Sequence, residues 1–480
     1  MNRNQEYEAL LAELSNTPKE LETTVNKAMK RINTSQKKRR VWGASLGSLA
    51  ACFAGFVLLV NLSVPFAQAC GSVPLLSALA KAVSWSPSLS AAVENDYVQP
   101  VNLVQTQNGI VAKVEYLIVD RKQVDVFFSV DSTEYDRLDI THPKLSMPDG
   151  EHGWNSSLST YGVENGELMD FQINFVDRDV PETLTMTFGV YDREEVRSAP
   201  AESSVLDDYG DEMLSDFEEE SHEILAEFTF KLAFDPGFTA QGEVIPVNGS
   251  FVLDGQTVTL TEAELYPTHL RLNLDYAPGN TAWLTDLNFY LENEHGERFE
   301  GVANGVSGIG SLDSPATSSV WLDSPFFSQG EHLTLHITGA AWIDKGQERI
   351  KVDLVNGVID DPPHGVAVDW TEKRDSGWLV SFSAEKRWGK DTNYQVWGSS
   401  FYDADGNAYD IDQRSMTTVP MFLGTLSGDE LAAHEERERQ AVEAGLNFET
   451  FALKGYTENV VWLEPRWTSV TDSTATIVIR

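Results

Sequence analysis

Hydrophobic spacing divides the chain into four stretches with different rhythms. In the first, Tyr7, Leu10, Leu11 and Leu14 fall at i, i+3, i+4 and i+7, one apolar stripe of a short helix ending near Ser15-Asn16. Thr17-Pro18-Lys19-Glu20 then reads as a capping box with proline at the first helical position. The helix it starts carries a second stripe of Leu21, Val25, Ala28, Met29 and Ile32. Helices this short are marginal alone in water, so the two stripes need a cover. Either they dock in a groove of a cytoplasmic protein, or they cover each other and rest on the membrane, with Lys27, Lys30 and Arg31 among lipid headgroups.

The second stretch is continuously apolar. From Val41 to Ala80 there is no Asp, Glu, Lys or Arg, and the 20 residues Val41–Val60 would span, as a helix, the ~30 Å hydrocarbon core. Lys37, Lys38, Arg39 and Arg40 stand directly before this run. The positive-inside rule therefore places the N-terminus in the cytoplasm and everything after the span at 41–62 outside. The alternative is a cleaved signal peptide, since Ala67-Gln68-Ala69 is a small-x-small site followed by Cys70. A basic leader of 40 residues and an apolar run of full membrane length favour a retained anchor. The third stretch, "VPLLSALAKAV" and "SPSLSAAVEND", predicts two short helical pieces within 63–95. They form a collar next to the membrane or a linker lying on the outer leaflet.

From about residue 97 the period becomes two. "GIVAKVEYLIVDRKQVDVFFSVD" predicts two strands around a turn at Asp120-Arg121, and "ELMDFQINFV" and "LTMTFGVYD" continue in that style. "SFVLDGQTVTLTEAELYPTHLRLNLDY" predicts a hairpin at Asp254-Gly255 and a further strand. Short strands separated by turn signals argue for antiparallel β-sandwiches. Boundaries near 235 and 350 give units at 96–235, 236–350 and 351–480, with recurrence of type but no close sequence repeat. Two insertions interrupt them. The acidic loop at 207–223, "DDYGDEMLSDFEEESHE", is too charged to pack. Residues 427–445 predict a helix with a capping box at Ser427 and Glu430 and a stop at Gly445.

Charge sharpens this division. Residues 1–40 hold nine Lys/Arg against five Asp/Glu, a net of +4, which leaves −43 on the remaining 440 residues of a chain whose net charge is −39. So acidic a surface repels phosphate backbones, which excludes the large part from nucleic-acid binding. The two cysteines, Cys52 and Cys70, both precede the strands, so packing rather than disulfides must hold the β region.

No catalytic constellation is visible. His332 and His336 alternate with Leu333, Leu335 and Ile337, which makes a strand and sets the two rings roughly 13 Å apart, too far for one metal ion. "GVSGIGS" at 305–311 fits neither a nucleophile elbow nor a phosphate loop and reads as a loop. Asp403-Ala-Asp405-Gly406-Asn407, with Asp410 and Asp412 beyond, begins like a calcium loop. Arg414 stands where an EF-hand needs its glutamate, so a hairpin turn is the better expectation. No metal site and no cofactor are expected.

Three segments carry a resemblance. "FAGFVLLVNLSVPFAQA", "SPSLSAAVENDYVQPV" and "GIVAKVEYLIVDRKQVDVFFSVD" resemble the domain of unknown function 4179 family. "GEVIPVNGSFVLDGQTVTLTEAELYPTHLRLNL" is similar to the partner domain that follows in such proteins. The resemblance covers about 41–135 and 235–350. It implies a single-pass membrane protein of Gram-positive bacteria and a negative regulator of an extracytoplasmic-function sigma factor. It brings no functional residues with it. Anti-sigma factors with a zinc-binding helical domain carry a His and paired Cys in the cytoplasm, and residues 1–40 have neither.

The expectation is thus a mainly β protein: an N-terminal helical hairpin, one transmembrane helix, a collar, and about three antiparallel, Ig-like β-sandwich units outside the cell. A cytoplasmic sigma factor is the expected partner, held by Leu10, Leu11, Leu14, Leu21, Val25, Met29 and Ile32, while Lys37, Lys38, Arg39 and Arg40 orient the chain in membrane lipid. A structural or adhesive envelope protein, or an anchored carbohydrate- or calcium-binding module, are the alternatives. The sequence names no cell-wall ligand.

Overall fold

The computed structural model describes residues 73–480 apart from 149, 151–152, 160–163, 194–222, 303–307, 312–313, 390–394, 412 and 422–427. The expected docking helices, the span at 41–62, both cysteines, nearly all of the acidic loop and Ser427 lie outside these residues. No helix among the described residues is long and apolar enough to cross a membrane. The chain divides into a unit over 1–75, of which only the last three residues are described, and a second unit over 76–480.

The protein is mainly β, in antiparallel sheets. Helix α1 (Val73–Ala82) and helix α2 (Pro87–Glu94) come first. Ser86 caps α2 by accepting the Leu89 N–H at 3.2 Å, and Pro87 opens its first turn, where a missing N–H costs nothing.

The first pair of sheets follows. Its strands are β1 (Gln99–Gln107), β2 (Ile110–Val119), β3 (Gln123–Ser132), β4 (Leu138–Ile140), β5 (Lys144–Ser146), β6 (Trp154–Ser159), β7 (Met169–Phe175), β8 (Thr183–Asp192) and β9 (Ala226–Ala233). One sheet runs β1-β2-β3-β7-β6, and in the other β8 pairs with β4, β5 and β9. Alternation puts Val124, Val126, Phe128, Phe171 and Ile173 of one sheet into a shared core with Met186, Phe188, Phe228 and Phe230 of the other.

A short helix, α3 (Pro236–Thr239), leads to the second pair. This contains β10 (Glu243–Leu253), β11 (Gln256–Leu265), β12 (Leu270–Tyr276), β13 (Ala282–Asn293), β14 (Arg298–Phe299), β15 (Gly308–Ser311), β16 (Ser314–Leu322) and β17 (Leu333–Asp344). Its first sheet, β10-β11-β12-β16-β15, has the order of β1-β2-β3-β7-β6.

The likeness extends to single residues. Pro100, Asn102, Asn108 and Gly109 recur as Pro246, Asn248, Asp254 and Gly255, a constant offset of 146. The β1–β2 register shifts between Pro100 and Leu103, and that of β10–β11 between Pro246 and Gly249. Asn102 and Asn248 take positive φ there, 51° and 50°, a conformation asparagine tolerates better than most residues. Asn108-Gly109 and Asp254-Gly255 both turn with two positive φ values, the type I′ geometry that matches strand twist. The two pairs are a structural repeat. It escapes the sequence because only bulge and turn residues are shared, while the strand residues between them differ.

The third pair contains β18 (Ile350–Asp353), β19 (Val358–Ile359), β20 (Val366–Arg374), β21 (Gly377–Glu385), β22 (Trp397–Tyr402), β23 (Ala408–Asp410), β24 (Arg414–Thr417), helix α4 (Asp429–Ala444), β25 (Leu446–Lys454) and β26 (Val460–Pro465). The chain then returns: β27 (Ser469–Thr471) and β28 (Ala475–Val478) pair with β17. The unit expected at 351–480 therefore ends earlier, and the third pair is inserted into the second. Alternation alone could not reveal this, because it does not say which sheet a strand joins.

Two smaller expectations change. Residues 308–311, read as loop, form β15 against β16, since a Gly-rich edge strand carries no alternating signal. The N-cap of α4 is Gly428, without a side-chain cap, rather than Ser427. Gly445 ends the helix in the left-handed conformation as expected.

Candidate functional site

The residues expected to hold a partner, Leu10 to Ile32, and those expected to orient the chain, Lys37 to Arg40, lie outside the described residues. Of the other sequence candidates, His332 directly precedes β17 and donates its N–H to Glu294 at 3.0 Å, while His336 stacks on Tyr290 at 4.9 Å between centroids. Asp403 makes a tight turn between β22 and β23. Its Oδ1 accepts the N–H groups of Asp405 and Asn407 at 3.0 and 2.9 Å, and its Oδ2 accepts Asn407 Nδ2 at 2.7 Å and Tyr409 OH at 3.1 Å. Those bonds use the carboxylate internally, as an Asx turn does. Among the described residues no three His, Cys, Asp or Glu side chains are grouped to hold a metal ion.

The densest buried polar site is one the sequence did not disclose. It lies where the β2–β3 turn of the first pair meets the equivalent β11–β12 turn of the second. Asp120, fully buried, accepts the Lys122 and Gln123 N–H groups on Oδ1 at 2.8 and 2.9 Å. On Oδ2 it accepts the N–H and hydroxyl of Thr268 at 3.1 and 2.6 Å. Burial pushes its pKa up to about 6 against the pull of these bonds. Thr268 Oγ1 is also 2.9 Å from His269 Nδ1. With the hydroxyl proton given to Asp120, Nδ1 of the neutral imidazole carries the hydrogen. Burial, with Arg271 and Lys122 adding to it, pushes His269 down to about 3.

The collar closes this joint. Ser88 Oγ on α2 donates to Asp323 Oδ1 at 3.0 Å and accepts the Ser324 N–H at 2.7 Å. Tyr97 OH lies 2.8 Å from the Val119 carbonyl of the first pair and 3.0 Å from that of Phe238 on the connecting helix α3. Its ring meets Phe238 edge-on at 4.8 Å and Phe327 at 5.6 Å. A cavity of about 20 Å³ remains between Trp85 of the collar, Gln123 and Asn174 of the first pair, and His269 and Asp323 of the second. That is room for a single water, so the site is a joint rather than a substrate pocket.

Behind the cavity, β3 and β7 turn a polar face outward from their core. Gln123, Asp125 and Ser129 share it with Asp170, Gln172 and Asn174, and all are buried. Gln123 Nε2 donates to both oxygens of Asp125 at 3.1 and 2.9 Å. Burial, then the charge of Asp170, raises Asp125 well above the carboxylate range, and burial raises Asp170 to about 7. Among the described residues, Asp170 Oδ1 and Asn174 Nδ2 have no hydrogen-bond partner. The alternation Asp170, Gln172, Asn174 against Phe171, Ile173, Phe175 was visible in the sequence and marks a polar face. What it could not show is that this face is covered.

Two family models match the chain. Residues 37–132 match a domain of unknown function, DUF4179, and residues 242–360 a family of unknown function, DUF5643. No curated protein matches. Among solved structures, the conserved domain protein from Bacillus anthracis is similar at 15% identity and a TM-score of 0.37, over 55% of this chain and 85% of that one.

Proposed function

We propose, from the premise that this chain is a DUF4179 protein with a DUF5643 domain behind its first sheet pair, that it is a single-pass membrane signalling regulator. In this reading residues 41–62 anchor it, and residues 1–40 hold a sigma factor through the Leu10/Leu11/Leu14 and Leu21/Val25/Met29/Ile32 stripes. The Ig-like sandwich units outside the cell sense the state of the envelope. The observation that supports coupling is the seating of the collar. The segment that would leave the membrane is hydrogen-bonded through Ser88 to the second pair and through Tyr97 to the carbonyls of Val119 and Phe238. A rearrangement between the pairs would therefore move the collar.

The test is co-purification of the tagged full-length protein from membranes of the source cell, with retained proteins identified by mass spectrometry. One sigma factor is expected, lost in the Leu21→Asp/Val25→Asp variant. A chain recovered from membranes with no such partner, wild type and variant alike, would leave a structural envelope protein as the better reading.

A further inference from the structure

The seam between β1 and β9 is closed in an unusual way. The two are edge strands of opposite sheets, and side chains bridge them. Gln99 Nε2 donates to the Ala233 carbonyl at 2.9 Å, and its Oε1 accepts the Asp235 N–H at 3.0 Å. Gln105 Nε2 donates to the Thr229 carbonyl at 2.6 Å, Gln107 Oε1 accepts the Glu227 N–H at 3.2 Å, and Asn108 Nδ2 donates to the Leu225 carbonyl at 2.7 Å. Residues 227, 229 and 233 are odd-numbered, so these groups lie along one edge of β9, the edge turned away from β8, and the Leu225 carbonyl and Asp235 N–H flank the strand at its two ends. The glutamines occupy the places that a neighbouring strand would fill, and every one of these bonds is exposed to water.

The repeat supplies the contrast. At the offset of 146, Gln99, Gln105 and Gln107 correspond to Ile245, Phe251 and Leu253, and β28 has the place of β9. There the seam is apolar: Ile245, Phe251, Leu253, Ile477 and Ile479 are buried in one core. The same joint is thus sealed by packing in one repeat and by solvent-exposed amide bonds in the other. The polar version belongs to the strand that directly follows the collar.

We propose that β1 is a releasable strand: held to β9 by exposed amide side chains, it peels away from β2 as well, so that displacement of the collar leaves an open strand edge at residues 225–235. The link to collar displacement rests on the anchored reading above. Hydrogen–deuterium exchange on the full-length protein in detergent tests it. Amides of 103–107 are expected to exchange at least about tenfold faster than those of 249–253 in the same molecule. Carrying the second repeat's residues across, as Gln105→Phe with Gln107→Leu, slows β1 by about the same factor. Ser88→Ala, which loosens the collar, speeds β1 and leaves β10 unchanged. Equal exchange of β1 and β10 in the wild-type chain overturns the proposal without recourse to any variant. Recovery of the chain from the soluble fraction would instead sink the anchored reading, and the exchange comparison would stand apart from it.

Discussion

The first and second sheet pairs share the strand order of one sheet, its bulge and its turn, yet they differ in what holds them shut and in what they bury. The first closes its β1–β9 seam with amide side chains and buries Asp120, Asp125 and Asp170 without a cation bonded to any of them among the described residues. The second closes the equivalent seam with Ile245, Phe251 and Leu253. At the joint it buries an uncharged histidine, while its Glu264 carboxylate is partnered by Arg271 at 3.4 Å. A common backbone plan therefore does not imply common energetics. Burying a phenylalanine or leucine is worth about 1.5–3 kcal/mol, whereas an exposed amide bond trades a protein partner for water at a net of about 1 kcal/mol or less.

The largest expected effect is of pH, and its sign is opposite in the two pairs. Asp170 titrates near 7 in the folded chain and near 3.8 unfolded. The native state therefore holds the extra proton between those values, and stability is full below pH 3.8 and falls as pH rises through 7. Asp125, raised beside it by burial and by the charge of Asp170, titrates together with it, so the loss belongs to the pair rather than to either carboxyl. Asp120, near 6, acts in the same direction. His269 runs the other way: neutral when folded and titrating near 6.5 when unfolded, it costs nothing above 6.5 and destabilises progressively as pH falls toward 3. Residue-resolved exchange across pH 4–8 should show the first pair loosening toward alkali and the turn around His269 loosening toward acid. Parallel profiles would erase the distinction. Asp170→Asn, which removes the charge and keeps the shape, should flatten the first slope.

Next in size is Leu253→Ala, which empties a fully buried site in the apolar seam and should cost about 3 kcal/mol by denaturant unfolding. Asp120→Ala comes third. It strands the buried Thr268 N–H and hydroxyl and should cost about 2 kcal/mol. It should also split a shared calorimetric transition into two, because the turns of the two pairs no longer grip each other. The smallest is Gln105→Ala, below about 1 kcal/mol. A loss as large as that of Leu253→Ala would mean the two seams are equivalent after all.

Much of the fold was legible because strands with one buried face alternate, and a turn such as Asp254-Gly255 carries its own signature. The collar helices were legible from Pro74, Ser86 and Pro87 and their apolar spacing. The joint was not. Asp125 sits inside "VDVFF", and nothing in that string says that its outer face is roofed, because periodicity reports which residues share a face and not what lies over it. The insertion of the third pair was hidden for a related reason. "SVTDSTATIV" reads as strands wherever it is placed, and only pairing with β17 assigns it. The repeat was hidden because Gln105 and Gln107 stand where Phe251 and Leu253 stand, so the strands most alike in space are least alike in chemistry.

The inserted third pair also imposes an order of events on a ribosome-made chain. Strand β17 is complete at residue 344, but its partners β27 and β28 arrive only after residues 345–468 have been made. Until then Leu335 and Ile337 lack the cover of Ile477 and Ile479, and the second pair cannot finish its core. Domains generally fold as units in order of synthesis. Here the first pair can close at β9, the third closes only once Trp467 is made and Ala341 of β17 is in place, and the second must wait for both ends. A chain stopped short of residue 478 would expose the open side of β17, a mark by which proteolysis could recognise an unfinished molecule.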